Sequence, residues 1–166
     1  MKELLQGRRF GFAPRPALGF VVIGLGIAVT LTDLMAWFGW GAKSTAGFVV
    51  VSYWLAVAAA VVAALGALTA IAEYVDTPEE ERGLARLDIV GAIVALILYA
   101  GSAAVRSADP GAAAATPAAF LLAIAALLVA LVDGAVAGNL YSEREWEELE
   151  EEPARERHPR RRAATR

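Results

Sequence analysis

Four long runs of apolar residues, separated by short polar segments, dominate the chain. The runs cover about residues 17–37, 46–72, 87–105 and 117–140. A helix of about 20 residues rises about 30 Å, which is enough to cross the hydrocarbon core of a bilayer. The pattern therefore predicts an all-α protein in which residues 17–141 form a four-helix transmembrane bundle.

The segments outside the runs are rich in charge, proline and glycine. Residues 1–16 form a basic segment, and Pro14 and Pro16 are expected to keep it apart from the first helix. Thr77-Pro78 and Thr116-Pro117 each predict a helix start, with a hydroxyl cap followed by proline, and the first of them predicts a short interfacial helix. Residues 142–166 are expected to form a short acidic surface helix and a disordered basic tail.

A cleaved signal peptide is the competing interpretation of the first run. The apolar core of such a peptide has about 7–15 residues and ends at small side chains. The run here is longer and is followed by the bulky segment 37–40, Trp-Phe-Gly-Trp. These features favour a retained transmembrane helix.

Composition supports a membrane protein and excludes several kinds of site. The chain is 58% hydrophobic, with a mean hydropathy of +0.53, which is more apolar than usual for a soluble domain. It has no cysteine, which excludes disulfides and thiolate metal sites. The formal net charge of −3 gives no reason to expect a nucleic-acid partner.

Lysine and arginine near the ends of the runs predict the orientation. The N-terminal segment, the loop at 73–86 and the C-terminal tail are rich in them, whereas Lys43 and Arg106 stand alone in the two other loops. Because basic residues favour the cytoplasmic side, both termini are expected in the cytoplasm, with the bundle in the cytoplasmic membrane. Aromatic side chains are expected at both interfaces: Trp37, Trp40 and Phe48 outside, and Tyr74, Tyr141 and Trp146 inside.

Five ionisable residues lie in or near the spans and are the candidate functional positions: Asp33, Glu73, Asp88, Arg106 and Asp133. An ion pair between Asp33 and Arg106 is predicted across the first and third helices. The other three carboxylates are expected toward the inner face, near Arg82, Arg86 and Arg144. The favoured interpretation is interface charges and bundle-locking pairs, and the alternative is a proton or cation site.

A GxxxG pair on the fourth helix, Gly134 and Gly138, predicts close helix packing. Looser pairs of glycine and alanine occur in the other three runs. Packing within the bundle is favoured over a homodimer face, although a homodimer or another membrane-protein partner remains open.

Catalytic and cofactor-binding signatures are scarce. The single histidine, His158, lies in the tail and none lies in a span, which excludes bis-histidine haem and a Ser-His-Asp triad. No catalytic residue, cofactor or metal is therefore expected. The basic segment Arg155–Arg166 is expected to contact anionic lipid headgroups rather than nucleic acid.

Short motifs at the helix ends carry a family resemblance. The first helix opens with Arg15-Pro16-Ala17-Leu18, the second ends with Ala72-Glu73-Tyr74, and the fourth closes with residues 134–141, Gly-Ala-Val-Ala-Gly-Asn-Leu-Tyr. Over about residues 15–142 the chain resembles the small four-helix prokaryotic membrane proteins grouped as domain of unknown function 2231.

The resemblance implies the fold more strongly than an activity. Members of that family typically have a His-Pro start to the first helix, a second histidine soon after it and a third opening the third helix. They are sometimes joined to Rieske or cytochrome modules. The matching positions here are Arg15, Phe20 and Asp88, so the potential ligands for haem or metal are missing.

The sequence therefore predicts a non-enzymatic membrane protein that acts as a structural or interaction component. One alternative is a small transporter or proton- or cation-conducting protein that uses Asp133, Asp88 and Glu73. Another is a membrane partner of a redox complex with no cofactor of its own.

Overall fold

The computed structural model describes residues 14–40, 45–109 and 111–155, with side chains described to residue 139. Its four helices, in chain order, are α1 (Pro14–Phe38), α2 (Ala46–Tyr74), α3 (Arg82–Ser107) and α4 (Pro117–Arg155). Each has a stretch long and apolar enough to cross a membrane, which in α4 is Pro117–Asn139. The prediction of an all-α bundle with four spans is confirmed.

The helices form a ring in which each packs against two others. The contacting pairs are α1–α2, α2–α3, α3–α4 and α4–α1, so α1 and α3 lie diagonally across the bundle. Short connections make successive helices antiparallel. The first residues of α1 and α3 therefore share one end of the bundle, named here the Arg15 end. The opposite end is named the Arg106 end.

Buried positions recur at alternating intervals of three and four residues, as in a left-handed helical bundle. On α1 they are Arg15, Val22, Gly26, Val29, Asp33 and Ala36, and on α3 they include Asp88, Ala92, Ala95, Tyr99, Ser102 and Arg106. Most interior apolar side chains are alanine, whereas the large ones, such as Phe20 and Trp54, are exposed on the outer surface. Small interior residues let the helices approach closely without help from the hydrophobic effect.

The first helix begins earlier than the sequence predicted. Pro14 and Pro16 were expected to separate residues 1–16 from the span, but α1 starts at Pro14 and contains both. Proline is tolerated there because the first backbone N–H groups of a helix have no partner within it. As a result, Arg15 belongs to the transmembrane helix and not to a polar segment.

One of the two predicted helix starts is correct. The backbone N–H of Ala119 donates to Thr116 Oγ1 at 3.3 Å, and α4 begins at Pro117 as predicted. Thr77 instead donates its hydroxyl to the Glu73 carbonyl at 3.0 Å. It thereby terminates α2 rather than starting an interfacial helix, and α3 begins at Arg82.

The fourth helix continues beyond the span. It runs without a break through the acidic segment to Arg155, so this segment is helical and continuous with α4. Residues 156–166, for which disorder was predicted, lie outside the described residues. The side chains of Tyr141 and Trp146 also lie outside them, which leaves their predicted interface position a prediction.

The Arg106 end is closed by contacts between its loops and helices. The Trp37 indole N–H donates to the Ala115 carbonyl at 3.0 Å, and its ring lies 4.5 Å from that of Phe120. The Thr45 hydroxyl donates to the Ala113 carbonyl at 2.6 Å. These bonds connect the loop before α4 to the end of α1 and the start of α2.

Candidate functional site: two ion clusters inside the bundle

Two groups of charged side chains lie inside the bundle, one near each end. The Arg15 cluster consists of Arg15, Asp88 and Asp133, and the Arg106 cluster consists of Arg106 and Asp33 together with Ser52 and Ser102. All seven side chains are buried. Since charge in a membrane interior is costly, these clusters are the leading candidates for a functional site.

The periodicity of α1 and α3 places both clusters on the bundle axis. Arg15 and Asp33 are about five helical turns, or about 27 Å, apart on one face of α1. Asp88 and Arg106 have the same spacing on α3, in the opposite order of charge. Each arginine therefore meets the aspartate of the diagonal helix, and both pairs are separated by 73 residues in the chain.

The Arg106 cluster satisfies every donor of its guanidinium. Nη1 and Nη2 donate to the two carboxylate oxygens of Asp33 at 2.7 and 2.6 Å. The remaining N–H groups donate to Ser52 Oγ at 2.9 Å, to Ser102 Oγ at 3.3 Å and to the Ala119 carbonyl at 3.4 Å. The predicted pair between Asp33 and Arg106 therefore forms, and side chains or backbone from all four helices complete it.

The Arg15 cluster joins one arginine to two aspartates. Nε and Nη2 of Arg15 donate to the Asp88 carboxylate at 3.0 and 2.7 Å. Nη2 also donates to Asp133 Oδ2 at 2.5 Å. With both acids ionised, this cluster has a formal charge of −1, whereas the charges of the Arg106 cluster balance.

Glycines make room for these polar groups. A Cβ atom on Gly91 would overlap the Asp133 carboxylate, and one on Gly66 would lie 3.3 Å from Arg15 Nη1. A Cβ on Gly26 would overlap the hydroxyl of Tyr99, which is fully buried near the middle of the bundle. The absence of a side chain at these positions therefore accommodates side chains from other helices rather than only close backbone contact.

The two glycines of the GxxxG pair differ in the space beside them. A Cβ on Gly134 would lie 3.2 Å from Ile23 Cδ1 of α1, which agrees with packing inside the bundle. A Cβ on Gly138 would meet nothing within 4 Å.

The inner carboxylates were expected near Arg82, Arg86 and Arg144, and the structure shows which of these arginines bind them. Arg82 pairs with Glu79 at 3.1 Å and Arg86 donates to the Tyr74 hydroxyl at 2.9 Å, so neither binds Asp88 or Asp133. Both aspartates bind Arg15, which the sequence analysis had assigned to a polar segment. The side chain of Arg144 lies outside the described residues.

Glu73 stands apart from the cluster. Its side chain is half-buried on α2, and its backbone carbonyl accepts the Thr77 hydroxyl. The described hydrogen-bond partners of Arg15 are Asp88 and Asp133 alone. The three carboxylates grouped by the sequence analysis are therefore not one contact site.

Between the clusters, the described interior is lined mainly by apolar side chains. Val22, Ala59, Ala63 and Ala126 pack around Tyr99 on the side of the Arg15 cluster. Another group, Val29, Ala56, Ala103 and Ala123, fills the interior on the side of the Arg106 cluster. Among the described residues, no group of three or more histidine, aspartate and glutamate side chains is arranged to hold a metal ion.

Comparison with known proteins identifies a family. The family model described as "Predicted membrane protein (DUF2231)" matches residues 16–145 of the chain. No curated protein and no solved structure matches it. Of the three positions at which the resemblance expects histidines, Arg15 and Asp88 bind each other, whereas Phe20 is exposed on the outer surface.

Proposed function

We propose that this chain, which belongs to the DUF2231 family of predicted membrane proteins, acts in the membrane as a non-enzymatic scaffold for another membrane protein. The observation behind the proposal is the interior of the bundle. Ion pairs join the diagonal helices near both ends, and alanine, valine and one tyrosine fill the space between them. Such an interior favours a rigid helical unit over a substrate cavity, which would need about 300–1,000 Å³.

Purification of the full chain in mild detergent tests the scaffold proposal. We expect one membrane protein to co-purify in a fixed ratio and to be lost when the bundle is opened by Arg106→Leu. The exposed substitution Val132→Leu on α4 provides a control that leaves the interior unchanged. Turnover of a substrate by the purified chain alone would contradict the proposal, as would a chain that carries its own chromophore.

Flux measurements separate the scaffold from a transporter. In liposomes loaded with a pH-sensitive dye, wild-type protein is expected to pass no more protons, sodium or potassium than empty liposomes do. The packed group around Val29 supports this expectation, because a conducting path needs water or polar groups along its length. A flux that Asp133→Asn abolishes would favour the transporter.

We propose the orientation with both termini in the cytoplasm, in the cytoplasmic membrane of a prokaryote. Arg15 and Arg106 are buried and paired, so neither counts as a loop charge. The remaining loop charges still favour this orientation, because Arg82 and Arg86 lie between α2 and the apolar part of α3.

The absence of cysteine makes this orientation easy to test. In spheroplasts, a membrane-impermeant maleimide is expected to label Ala112→Cys directly but Glu80→Cys only after permeabilisation. The reverse pattern would contradict the proposed orientation.

We also propose that the basic tail contacts anionic lipid headgroups. Basic residues near an anionic surface contribute about 1 kcal/mol each. A synthetic peptide with the sequence of residues 155–166 is expected to float with anionic vesicles at low salt, and not with zwitterionic vesicles. Equal binding to both kinds of vesicle would contradict this contact.

A further inference from the structure

The Arg15 cluster contains two carboxylates and one guanidinium, so one carboxylate has no balancing positive charge. From the helices around Asp133, α1 contributes Arg15 and α3 contributes Asp88, while α2 faces the arginine with Gly66. The next charged residue on α2 is Glu73, about 10 Å further along the helix. An unbalanced charge inside a membrane bundle is costly, so the cluster favours one additional positive charge.

Two polar atoms of the Arg15 cluster can form further hydrogen bonds, whereas every guanidinium donor of the Arg106 cluster is already engaged. Asp133 is 93% buried, being 7% exposed, and its Oδ1 accepts no hydrogen bond from the described residues. Nη1 of Arg15 likewise makes none of the hydrogen bonds found among those residues. Arg15 and Asp133 both line a cavity of about 10 Å³, whose walls also include Gly19, Val22, Ala92 and Ala130. This volume is close to the minimum for one water molecule.

The surroundings of Oδ1 suit a proton better than a metal cation. Sodium and similar ions take several oxygen ligands, as other hard cations do. The cavity walls provide the Asp133 carboxylate, a guanidinium and otherwise glycine, valine and alanine. A proton needs a single oxygen. Once protonated, Oδ1 donates a hydrogen bond, which a water molecule in the cavity can accept.

We propose that the Arg15 cluster is a proton-binding site, with the exchangeable proton on Asp133 Oδ1 and one water molecule in the adjacent cavity. Hydronium at the Arg15 end gives up its proton to the carboxylate and leaves as water, and release reverses this step. The packed group formed by Val29, Ala56, Ala103 and Ala123 separates the site from the Arg106 end. The site therefore binds a proton from one side and does not conduct it across the membrane, which makes the inference independent of the scaffold proposal.

Infrared spectroscopy of the full chain in nanodiscs tests the site directly. We expect mild acidification of the wild type, at a pH where exposed carboxylates stay ionised, to produce the C=O band of a protonated carboxyl, equivalent to one group per chain. This band should shift when aspartate carries ¹³C in its side-chain carboxyl. Asp133→Asn should remove this band, and the matched Asp33→Asn, in the charge-balanced cluster, should retain it. The proposal is wrong if the wild type shows no such band, if the band survives Asp133→Asn, or if Asp33→Asn removes it.

A conservative variant keeps the test valid if Asp133→Asn fails to fold. In Asp133→Glu grown with labelled aspartate and unlabelled glutamate, the protonated-carboxyl band should move from the ¹³C to the ¹²C position. A band that stays at the ¹³C position would place the proton on another aspartate and overturn the assignment.

Discussion

Both ion clusters combine arginine with aspartate, but the two clusters differ in how completely their polar atoms are paired. In the Arg106 cluster every guanidinium donor is engaged and the charges cancel, whereas the Arg15 cluster retains an unmatched carboxylate oxygen and a net negative charge. The first arrangement fixes helix positions. The second leaves room for a change of protonation. The role of a buried charge in a bundle therefore depends on its complete set of partners, and not only on the presence of an ion pair.

The largest effect is expected when the balanced cluster is broken. Arg106→Leu leaves Asp33 buried without its cation, and we expect the free energy of unfolding to fall by about 3–5 kcal/mol. Adding Asp33→Leu should recover most of the loss, because no isolated charge then remains. Reversible unfolding in mixed micelles measures both variants. A double variant as unstable as Arg106→Leu would contradict the assigned pairing.

Equivalent amide substitutions compare the clusters directly. Asp33→Asn removes the one anion that Arg106 binds among the described residues. It should lower the free energy of unfolding by about 1.5–3 kcal/mol, the scale of a hydrogen bond to a charged group. Asp133→Asn leaves Arg15 its two bonds to Asp88 and should cost less than about 1 kcal/mol. The same micelle assay compares them. Equal losses, or a larger loss for Asp133→Asn, would remove the distinction between the clusters.

Crowding the Arg15 cluster should have an intermediate effect. Gly91→Ala places a methyl group where the Asp133 carboxylate lies, and we expect it to lower the free energy of unfolding by about 1–3 kcal/mol, as overpacking does. Gly24→Ala is the matched control, since a Cβ there meets nothing within 4 Å. If both substitutions behave alike in thermal denaturation, the carboxylate does not occupy the space beside Gly91.

Between the clusters, a small gain in stability is expected. The Tyr99 hydroxyl is buried and accepts or donates no hydrogen bond among the described residues, so Tyr99→Phe should raise the free energy of unfolding by about 1 kcal/mol. Gly26→Ala, which crowds this hydroxyl, should be better tolerated in the Tyr99→Phe background than in the wild type. Thermal denaturation of the four proteins measures both effects, and a loss of stability in Tyr99→Phe would indicate a bonding partner for the hydroxyl.

The spans and one ion pair could be predicted from sequence because their signals are strong. Apolar runs of membrane length identify the four helices, and Asp33 and Arg106 are opposite charges expected at one end of the bundle. The ends of the helices were harder to predict. Thr116 caps α4 as its pattern predicted, but the similar Thr77-Pro78 pattern ends α2 instead, because the threonine hydroxyl bonds to the preceding turn.

The Arg15 cluster was missed for a physical reason. A basic residue beside two prolines is typical of a polar flank, and rules for loop charges count it there. The available signal was its register: Arg15 lies on the same α1 face as Asp33, about five turns away. The role of Gly91 and Gly26 could not be predicted from glycine patterns, because these do not show which atom from another helix occupies the space.

The 73-residue separation of both diagonal pairs has a consequence for biogenesis. Arg15 and Asp33 enter the bilayer on the first hairpin, and Asp88, Arg106 and Asp133 arrive only with the second. Neither charge of the first hairpin can neutralise the other, because they lie near opposite ends of one helix. Each hairpin by itself therefore carries unpaired charges within the membrane, which is costly. Assembly of the two hairpins pairs these charges and stabilises both hairpins.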